Sequence, residues 1–137
     1  MLTVVIGPPC AGKSTYIRRM SSVGDVLVDY DALARALGSP HEHDAPRAVA
    51  DVAFHARKAA IDRCLARGHP AFVIHSNPTP AQIRAYREAG ARLVLLDPGQ
   101  DECLARAERD ERPPETAERI RQWYASPPNL AADWSPD

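Results

Sequence analysis

A short glycine-rich loop between an apolar run and a helical pattern constrains this chain more than any other feature. The segment GPPCAGKST (residues 7–15) follows the apolar run LTVVI (2–6) and precedes a helical pattern at 13–20. Gly7 and Gly12 permit the backbone angles that turn amide N–H groups inward around an anion. A helix beginning at Lys13 adds the positive end of its dipole. The sequence therefore predicts a strand–loop–helix unit that binds phosphate.

The loop fits the pattern G-x-x-x-x-G-K-[ST], in which the lysine and the hydroxyl have separate tasks. Lys13 supplies positive charge for the β and γ phosphates of a nucleoside triphosphate, and Ser14 supplies an oxygen ligand for Mg²⁺. The alternative is a tight turn that carries these residues by chance, but the flanking strand and helix favour nucleotide binding. The predicted nucleotide contacts are Gly7, Cys10, Ala11, Gly12, Lys13, Ser14, Thr15 and, from a later segment, Arg106.

Four short apolar runs alternate with helical patterns along the chain. The runs are residues 2–6, 25–29, 71–75 and 92–97, and the helical patterns are 13–20, 31–37, 46–67, 79–89, 100–111 and 114–124. Thr79, Pro80 and Gln82 predict a capped start for the fourth helix. Runs that are apolar throughout suit strands covered on both faces. The alternation predicts a doubly wound α/β domain over 1–125, with about four parallel strands flanked by helices and a Pro-rich tail at 126–137.

Composition narrows the class of protein. The 137 residues carry a formal charge of −1, which gives no sequence-wide basic field for nucleic acid or membrane. Cys10, Cys64 and Cys103 show no CxxC spacing, which favours a reduced, intracellular protein. No apolar run reaches the length of a signal peptide or a membrane span. We therefore expect a cytoplasmic protein without a membrane partner. The sequence does not indicate its oligomeric state.

Two aspartates stand where the second predicted strand gives way to a helix. Ligands of open α/β sheets gather at the carboxyl ends of the strands, so Asp29 and Asp31 are expected near the γ phosphate. One carboxylate can accept the proton of an attacking hydroxyl, and the other can hold Mg²⁺ through water. The alternative is that one or both only cap the following helix.

The loop followed by D-x-D after strand two resembles the P-loop kinases of small molecules, such as shikimate and gluconate kinases. The closer resemblance is to the kinase domain of bacteriophage-type polynucleotide kinase. IHSNPTP (74–80) is similar to that family's strand-three motif Asp-Thr-Asn-x-Asn-Pro, and the Arg-rich segment 106–112 followed by ERIRQWY is similar to its lid and last helix. The resemblance implies a P-loop kinase fold, ATP as donor with GTP as the alternative, and Asp31 as the general base. Asp29 is then the carboxylate predicted to hold Mg²⁺.

Two positions depart from that family, both on the acceptor side. The family's acceptor-gripping Arg lies three residues after the base, where this chain has Ala34, with Arg35 one step later. Its strand-three Asp is replaced by His75, and the following Asn77-Pro78 is also an ordinary turn signal. The predicted acceptor contacts are Asp29, Arg35, His75 and Asn77. The departures weaken the claim of a 5′-hydroxyl polynucleotide acceptor and leave the donor side intact.

The segment DECLARAERDERPPE predicts an Arg-rich helical lid at about 103–116. Arg106, Arg109 and Arg112 follow every third residue and fan over one side of a helix. Guanidinium groups there can stabilise charge on a transferring phosphoryl group, which makes Arg109 and Arg112 candidate catalytic residues. Interleaved acidic residues leave a solvated, salt-bridged helix as the alternative.

Several other residues carry weaker signals. His41, His43 and Asp44 have too few neighbouring ligands for a closed metal site and favour a polar loop. Aromatic residues Phe54, Trp123 and Tyr124 are expected to pack in the core or at the lid hinge. Three polar residues of the long helix are expected to face solvent, namely His55, Arg57 and Lys58.

The predicted function is an ATP-dependent phosphotransferase that moves the γ-phosphate to a hydroxyl of a nucleic acid, nucleoside or nucleotide. A small-metabolite kinase is the alternative within the class. A P-loop ATPase or nucleotide switch is the alternative from another class, and it requires an acidic residue ending a strand beside the loop strand. The candidate segments end in His75 and in Asp97, and Asp97 is predicted to cap the next helix.

Overall fold

The computed structural model describes residues 1–40 and 45–130. Within them the chain forms a four-stranded parallel sheet flanked by six helices, which confirms the predicted α/β fold. The strands are β1 (Leu2–Ile6), β2 (Val26–Val28), β3 (Ala71–Ile74) and β4 (Arg92–Leu95). The helices are α1 (Lys13–Met20), α2 (Tyr30–Ala36), α3 (Arg47–Arg67), α4 (Pro80–Glu88), α5 (Gln100–Arg109) and α6 (Pro114–Ala125).

The strand order β2-β3-β1-β4 determines which loops are neighbours. β1 pairs with β3 on one side and with β4 on the other, and β2 pairs with the far side of β3. Because the strands are parallel, their carboxyl ends meet at one edge of the sheet. The glycine-rich loop after β1, the turn after β3 and the aspartates after β2 therefore lie side by side.

The centre of the sheet forms the core. Val4, Val5 and Ile6 of β1 are fully buried, and the main apolar cluster continues through β3 into α3 and α4. A second cluster lies between α5 and α6, where buried Cys103 and Ile120 pack with Cys10 of the loop. This second cluster attaches the Arg-rich helix to the loop that it overlies.

The ends of α4 and α5 test the predicted caps. Thr79 and Gln82 form the predicted capping box, since the Gln82 N–H donates to Thr79 Oγ1 and the Thr79 N–H donates to Gln82 Oε1. The prediction for Asp97 is wrong, because Gly99 is the N-cap of α5. Asp97 Oδ1 instead accepts hydrogen bonds from the Gly99 N–H at 3.2 Å and the Tyr124 hydroxyl at 2.6 Å.

Two expectations for the long helix α3 are also wrong. The Phe54 side chain is 59% exposed and contributes nothing to the core. Arg57 does not extend into solvent, since its guanidinium donates to the Ile74 carbonyl oxygen at 3.3 Å, where β3 ends. Helical spacing alone could not distinguish these faces, because apolar alanines surround most of the helix.

The predicted tail is described only in part. Trp123 donates its indole N–H to the Ser76 carbonyl oxygen, and Leu130 beyond α6 packs against the main cluster. The predictions for residues 41–44 and 131–137 lie outside the described residues. Across the part of the chain that the structure describes, every helix is too short or too polar to cross a membrane.

Candidate active site

The phosphate-binding loop is shaped by close backbone contacts. A Cβ atom at position 7 would lie 2.5 Å from the Leu96 carbonyl oxygen, so only glycine fits where the loop passes the end of β4. Cys10 and Gly12 both have left-handed backbone, at φ 64° and 92°. Left-handed residues of this kind turn neighbouring amide N–H groups toward a common centre, which is the geometry of an anion-binding nest.

Lys13 lies inside the loop that it serves. Its Nζ donates to the carbonyl oxygens of Gly7 at 2.8 Å and of Pro8 at 2.7 Å. Burial lowers the pKa of Lys13 to about 8, and the opposing attraction of Cys10, Cys103, Asp29 and Asp31 offsets only part of that effect. The ammonium group is therefore poised to exchange carbonyl partners for phosphate oxygens.

The pKa of Lys13 can be measured directly, because the chain has one other lysine, Lys58. In a Lys58→Arg variant labelled at lysine, NMR titration should show a single midpoint near pH 8. Between pH 8 and the usual pKa of 10.5 the unfolded chain binds more protons, so this group makes the free energy of unfolding rise with pH. Bound ATP should move the midpoint upward, because phosphate anions favour the charged amine. A midpoint at the usual value in the ligand-free protein would contradict the buried placement.

A cavity of about 550 Å³ opens above the loop and unites most of the predicted site. Residues from the loop, from the segment after β2 and from the Arg-rich helix line it together. Of the predicted site residues, the lining contains Cys10, Ala11, Gly12, Lys13, Ser14, Thr15, Asp29, Asp31, Arg35, Arg106 and Arg112. The remaining loop residue, Gly7, lies beneath the cavity as a hydrogen-bond acceptor for Lys13.

Besides Gly7, three predicted site residues lie outside the lining of this cavity. His75 Nδ1 is 2.9 Å from the Tyr86 hydroxyl of α4, and burial, reinforced by Arg57, lowers the pKa of His75 to about 4. Asn77 Nδ2 donates to the Ser126 carbonyl oxygen at 2.9 Å and so ties the turn after β3 to the end of α6. Arg109 is exposed on α5. The structure does not bring these three together with the loop.

The two aspartates have different local roles. Asp29 is the N-cap of α2, and its Oδ1 accepts a hydrogen bond from the Asp31 N–H at 3.1 Å. Both nevertheless line the cavity. Ala34 stands where the kinases that this chain resembles carry an acceptor-binding arginine, and it is 1% exposed and faces the interior. The next residue, Arg35, lines the cavity. One helical step therefore separates a buried position from one that contacts the cavity.

The Arg-rich helix contacts the loop through Arg106. Its Nε donates to Glu102 Oε1 at 2.9 Å, and its NH1 donates to the Cys10 carbonyl oxygen at 3.1 Å. At the base of α5, the Tyr124 hydroxyl links Asp97 to Gly99, and burial together with the bond to Asp97 raises the pKa of Tyr124. Arg106 therefore forms the ion pair of the salt-bridged alternative and also lines the cavity above the loop.

Eight lining residues are not among the predicted site residues. They are Pro9, Arg18, Ala32, Ile74, Ser76, Asp110, and Thr116 and Arg119 of α6. The signal for the last two was available in the helical spacing: Thr116, Arg119, Ile120 and Trp123 share the face of α6 that turns inward. Recognising that face required knowing that α6 contacts the turn after β3.

A second cavity of about 420 Å³ lies on the other side of the loop. Its lining combines residues of the loop and of α1 with Leu96 after β4 and Arg106 of α5. The residues are Ala11, Gly12, Thr15, Tyr16, Arg19, Leu96 and Arg106. The two cavities therefore share Ala11, Gly12, Thr15 and Arg106 and differ in their other lining residues.

The donor set fits a magnesium ion held jointly with phosphate. Ser14 offers a hydroxyl and Asp29 a carboxylate at the same cavity, and both are hard oxygen ligands. Within the described residues no group of three His, Cys, Asp or Glu side chains could hold a metal by itself. This sparse set suits Mg²⁺, which keeps several waters and takes further oxygens from substrate phosphates.

Comparison with known proteins gives the family. The model of the family described as "AAA domain" matches residues 2–127. The chain belongs to this family of P-loop NTPases. This membership and the fold confirm the predicted place in the P-loop kinase superfamily, and they support a P-loop kinase or nucleotide hydrolase.

A solved structure is similar over the whole fold. The structure titled "Structure of the Pnkp1/Rnl/Hen1 RNA repair complex" contains a chain that matches with a TM-score of 0.71 and 14% sequence identity. The match covers 98% of this chain and 46% of the other, so this chain spans less than half the length of its structural neighbour. At this identity the likeness establishes the fold alone. A search of curated proteins found no match.

Proposed function

We propose that the protein is an ATP-dependent phosphotransferase that moves the γ-phosphate to a hydroxyl of a nucleic acid, nucleoside or nucleotide. The observation that carries this proposal is that Asp31 lines the same cavity as Lys13 and Ser14 of the phosphate loop. A nucleotide hydrolase needs only the loop and a positioned water. A carboxylate across the cavity from the loop supplies what an alcohol acceptor needs, a group that takes its proton.

In the proposed mechanism the acceptor hydroxyl lies between Asp31 and the γ phosphate. Asp31 accepts the hydroxyl proton as the oxygen attacks the phosphorus in line, and the bond to the β-phosphate oxygen breaks. Lys13 leaves the carbonyl oxygens of Gly7 and Pro8 and neutralises charge on the β and γ phosphates. Mg²⁺ held by Ser14 and Asp29 would supply further neutralisation at those phosphates.

The donor base is assigned to the second cavity. Tyr16 offers an aromatic face, and the guanidinium groups of Arg19 and Arg106 can stack on a purine or contact the α phosphate. With the phosphates in the loop, this placement extends the nucleotide away from Asp31. ATP is the proposed donor and GTP the alternative. Measuring how well unlabelled ATP and GTP each displace labelled ATP would show which nucleotide the site prefers.

The lid is proposed to close over the transferring phosphate. Arg106 already contacts the loop through the Cys10 carbonyl, and Arg112 lines the cavity farther along the same segment. Guanidinium groups at these positions would stabilise charge that develops during transfer. Arg109, which is exposed on α5 in this structure, is proposed to join them when the lid closes.

The competing functions make different products. A hydrolase releases phosphate without an acceptor. The residue that could act as its acid at the end of a strand, Asp97, lies outside the cavity lining and accepts hydrogen bonds from Tyr124 and Gly99. A small-metabolite kinase uses the same loop and base with a different acceptor. Arg35 supports a phosphate-bearing acceptor, because it reaches the cavity although the usual gripping position is buried.

The test is transfer of label from γ-labelled ATP in the presence of Mg²⁺. Acceptors would be 5′-hydroxyl DNA and RNA oligonucleotides, thymidine, and ribose as a small metabolite, with Asp31→Asn as the inactive control. We expect label on a nucleic-acid or nucleoside acceptor and none with the variant. Label released only as inorganic phosphate, equally with and without acceptor, would replace the kinase by a hydrolase.

A further inference from the structure

The residues that line the cavity of about 550 Å³ have a net positive charge, although the whole chain does not. The lining contains six cationic side chains and three carboxylates, whereas the whole protein has a formal charge of −1. The cations are Lys13, Arg18, Arg35, Arg106, Arg112 and Arg119, and the carboxylates are Asp29, Asp31 and Asp110. Lys13 and Arg106 lie at the loop, where the donor phosphates belong. The other four arginines exceed the three carboxylates by one charge, which favours an anion in this cavity.

The position of α6 determines where part of that charge lies. Its carboxyl end is attached to the turn after β3, because the Trp123 indole donates to Ser76 O at 2.7 Å and Asn77 Nδ2 donates to Ser126 O. β3 lies between β1 and β2, and therefore between the phosphate loop and the aspartates. Arg119, one helical turn before Trp123, lies with Ser76 in the lining of the large cavity.

Thr116 adds a polar group with an unsatisfied hydrogen bond. It is one turn farther along the same face, is 3% exposed and lines the cavity. Its Oγ1 is shielded from solvent and makes no hydrogen bond within the described residues. A buried hydroxyl without a partner is costly, and a ligand oxygen in the cavity would satisfy it.

The two cavities separate donor from acceptor. Thr116 and Arg119 line the large cavity together with Asp31, and neither lines the second cavity assigned to the donor base. An anion held by them is therefore on the side of the hydroxyl that is attacked. We propose that Thr116 and Arg119 form a subsite for a phosphate group of the acceptor, which rests on the proposed function and makes the acceptor a phosphate-bearing alcohol.

The subsite can be tested by binding, without turnover. Calorimetry on the protein saturated with a non-hydrolysable ATP analogue would compare thymidine with thymidine 3′-phosphate, and ribose with ribose 5-phosphate. The two pairs distinguish a nucleotide from a sugar phosphate as the source of the phosphate. We expect the phosphorylated member of one pair to bind at least about tenfold more tightly, as a charge-assisted hydrogen bond provides.

Variants assign that preference to α6. Arg119→Gln should remove about tenfold or more of the affinity for the phosphorylated probe and leave the unphosphorylated probe unchanged. Thr116→Val, which keeps the buried volume, should lower affinity by a few-fold in the same selective way. The matched control is Arg121→Gln, on the exposed side of α6. Thermal melting of each variant verifies folding.

Each outcome decides the proposal. It is overturned if neither phosphorylated probe binds better than its partner, or if Arg119→Gln weakens the ATP analogue or both members of a pair equally. Selective binding without any transfer of label would retain the subsite and reject the kinase. Transfer of label that is unaffected by Arg119→Gln would retain the kinase and reject the subsite.

Discussion

The Asp31→Asn variant is expected to bind ATP almost normally and to lose phosphoryl transfer. In the proposed mechanism the carboxylate takes the acceptor proton, and an amide of the same size cannot. Loss of a general base typically lowers kcat by about 10²–10⁴. ATP affinity should change little, since in the proposed mechanism Lys13 and the loop amides would hold the phosphates. Single-turnover transfer of label, beside ATP titration, measures the two effects separately.

A matched substitution makes the Asp31 result specific. Asp51→Asn alters an exposed aspartate of α3 whose side chain is 73% accessible and lies outside the cavity. That control should retain activity, and melting curves should show that both variants are folded. If Asp31→Asn transferred label at the normal rate, the base would have to be another cavity carboxylate, and Asp29 or Asp110 would be tested next.

The fold was predictable because its signals are local. A strand, a glycine turn and a helix start occupy consecutive residues at 2–15, and the capping box at Thr79 and Gln82 spans four. Parallel strands then place the loop and the aspartates at one edge by geometry alone. This is why the lining of the large cavity contains Lys13, Ser14 and Asp31 as expected.

The missed features depend on contacts between distant segments. Arg57 lies seventeen positions before the Ile74 carbonyl that it contacts, and Trp123 lies forty-seven positions after Ser76. A charged residue on an Ala-rich helix reads as solvent-exposed until the end of β3 is placed beside it. The second cavity has the same origin, because Tyr16, Leu96 and Arg106 meet only in the folded chain.

The displaced acceptor arginine is explained by helix geometry. On α2 the position three residues after Asp31 turns into the interior, where Ala34 is 1% exposed and a guanidinium would not fit. The next position turns toward the cavity, and Arg35 occupies it. A departure that looked like a lost contact in the sequence therefore leaves a cation in the cavity, which agrees with a phosphate-bearing acceptor.

Lys13→Met should produce the second large effect, this time on both binding and transfer. The substitution keeps a flexible side chain of similar length and removes the charge that offsets the β and γ phosphates. Loss of one such electrostatic contact typically lowers kcat by about 10²–10³, and ATP affinity should fall with it. Initial rates of label transfer at several ATP concentrations would separate kcat from KM.

Comparison with two further variants identifies the reason for the loss. Lys58→Met removes the other lysine, which is exposed on α3 and paired with Asp62, and should leave transfer unchanged. Lys13→Arg keeps the charge but should not restore activity, because the larger planar guanidinium cannot take the place of the compact ammonium inside the loop. Normal rates in Lys13→Met would show that the phosphates are held elsewhere, and would contradict the assignment of the loop as the donor site.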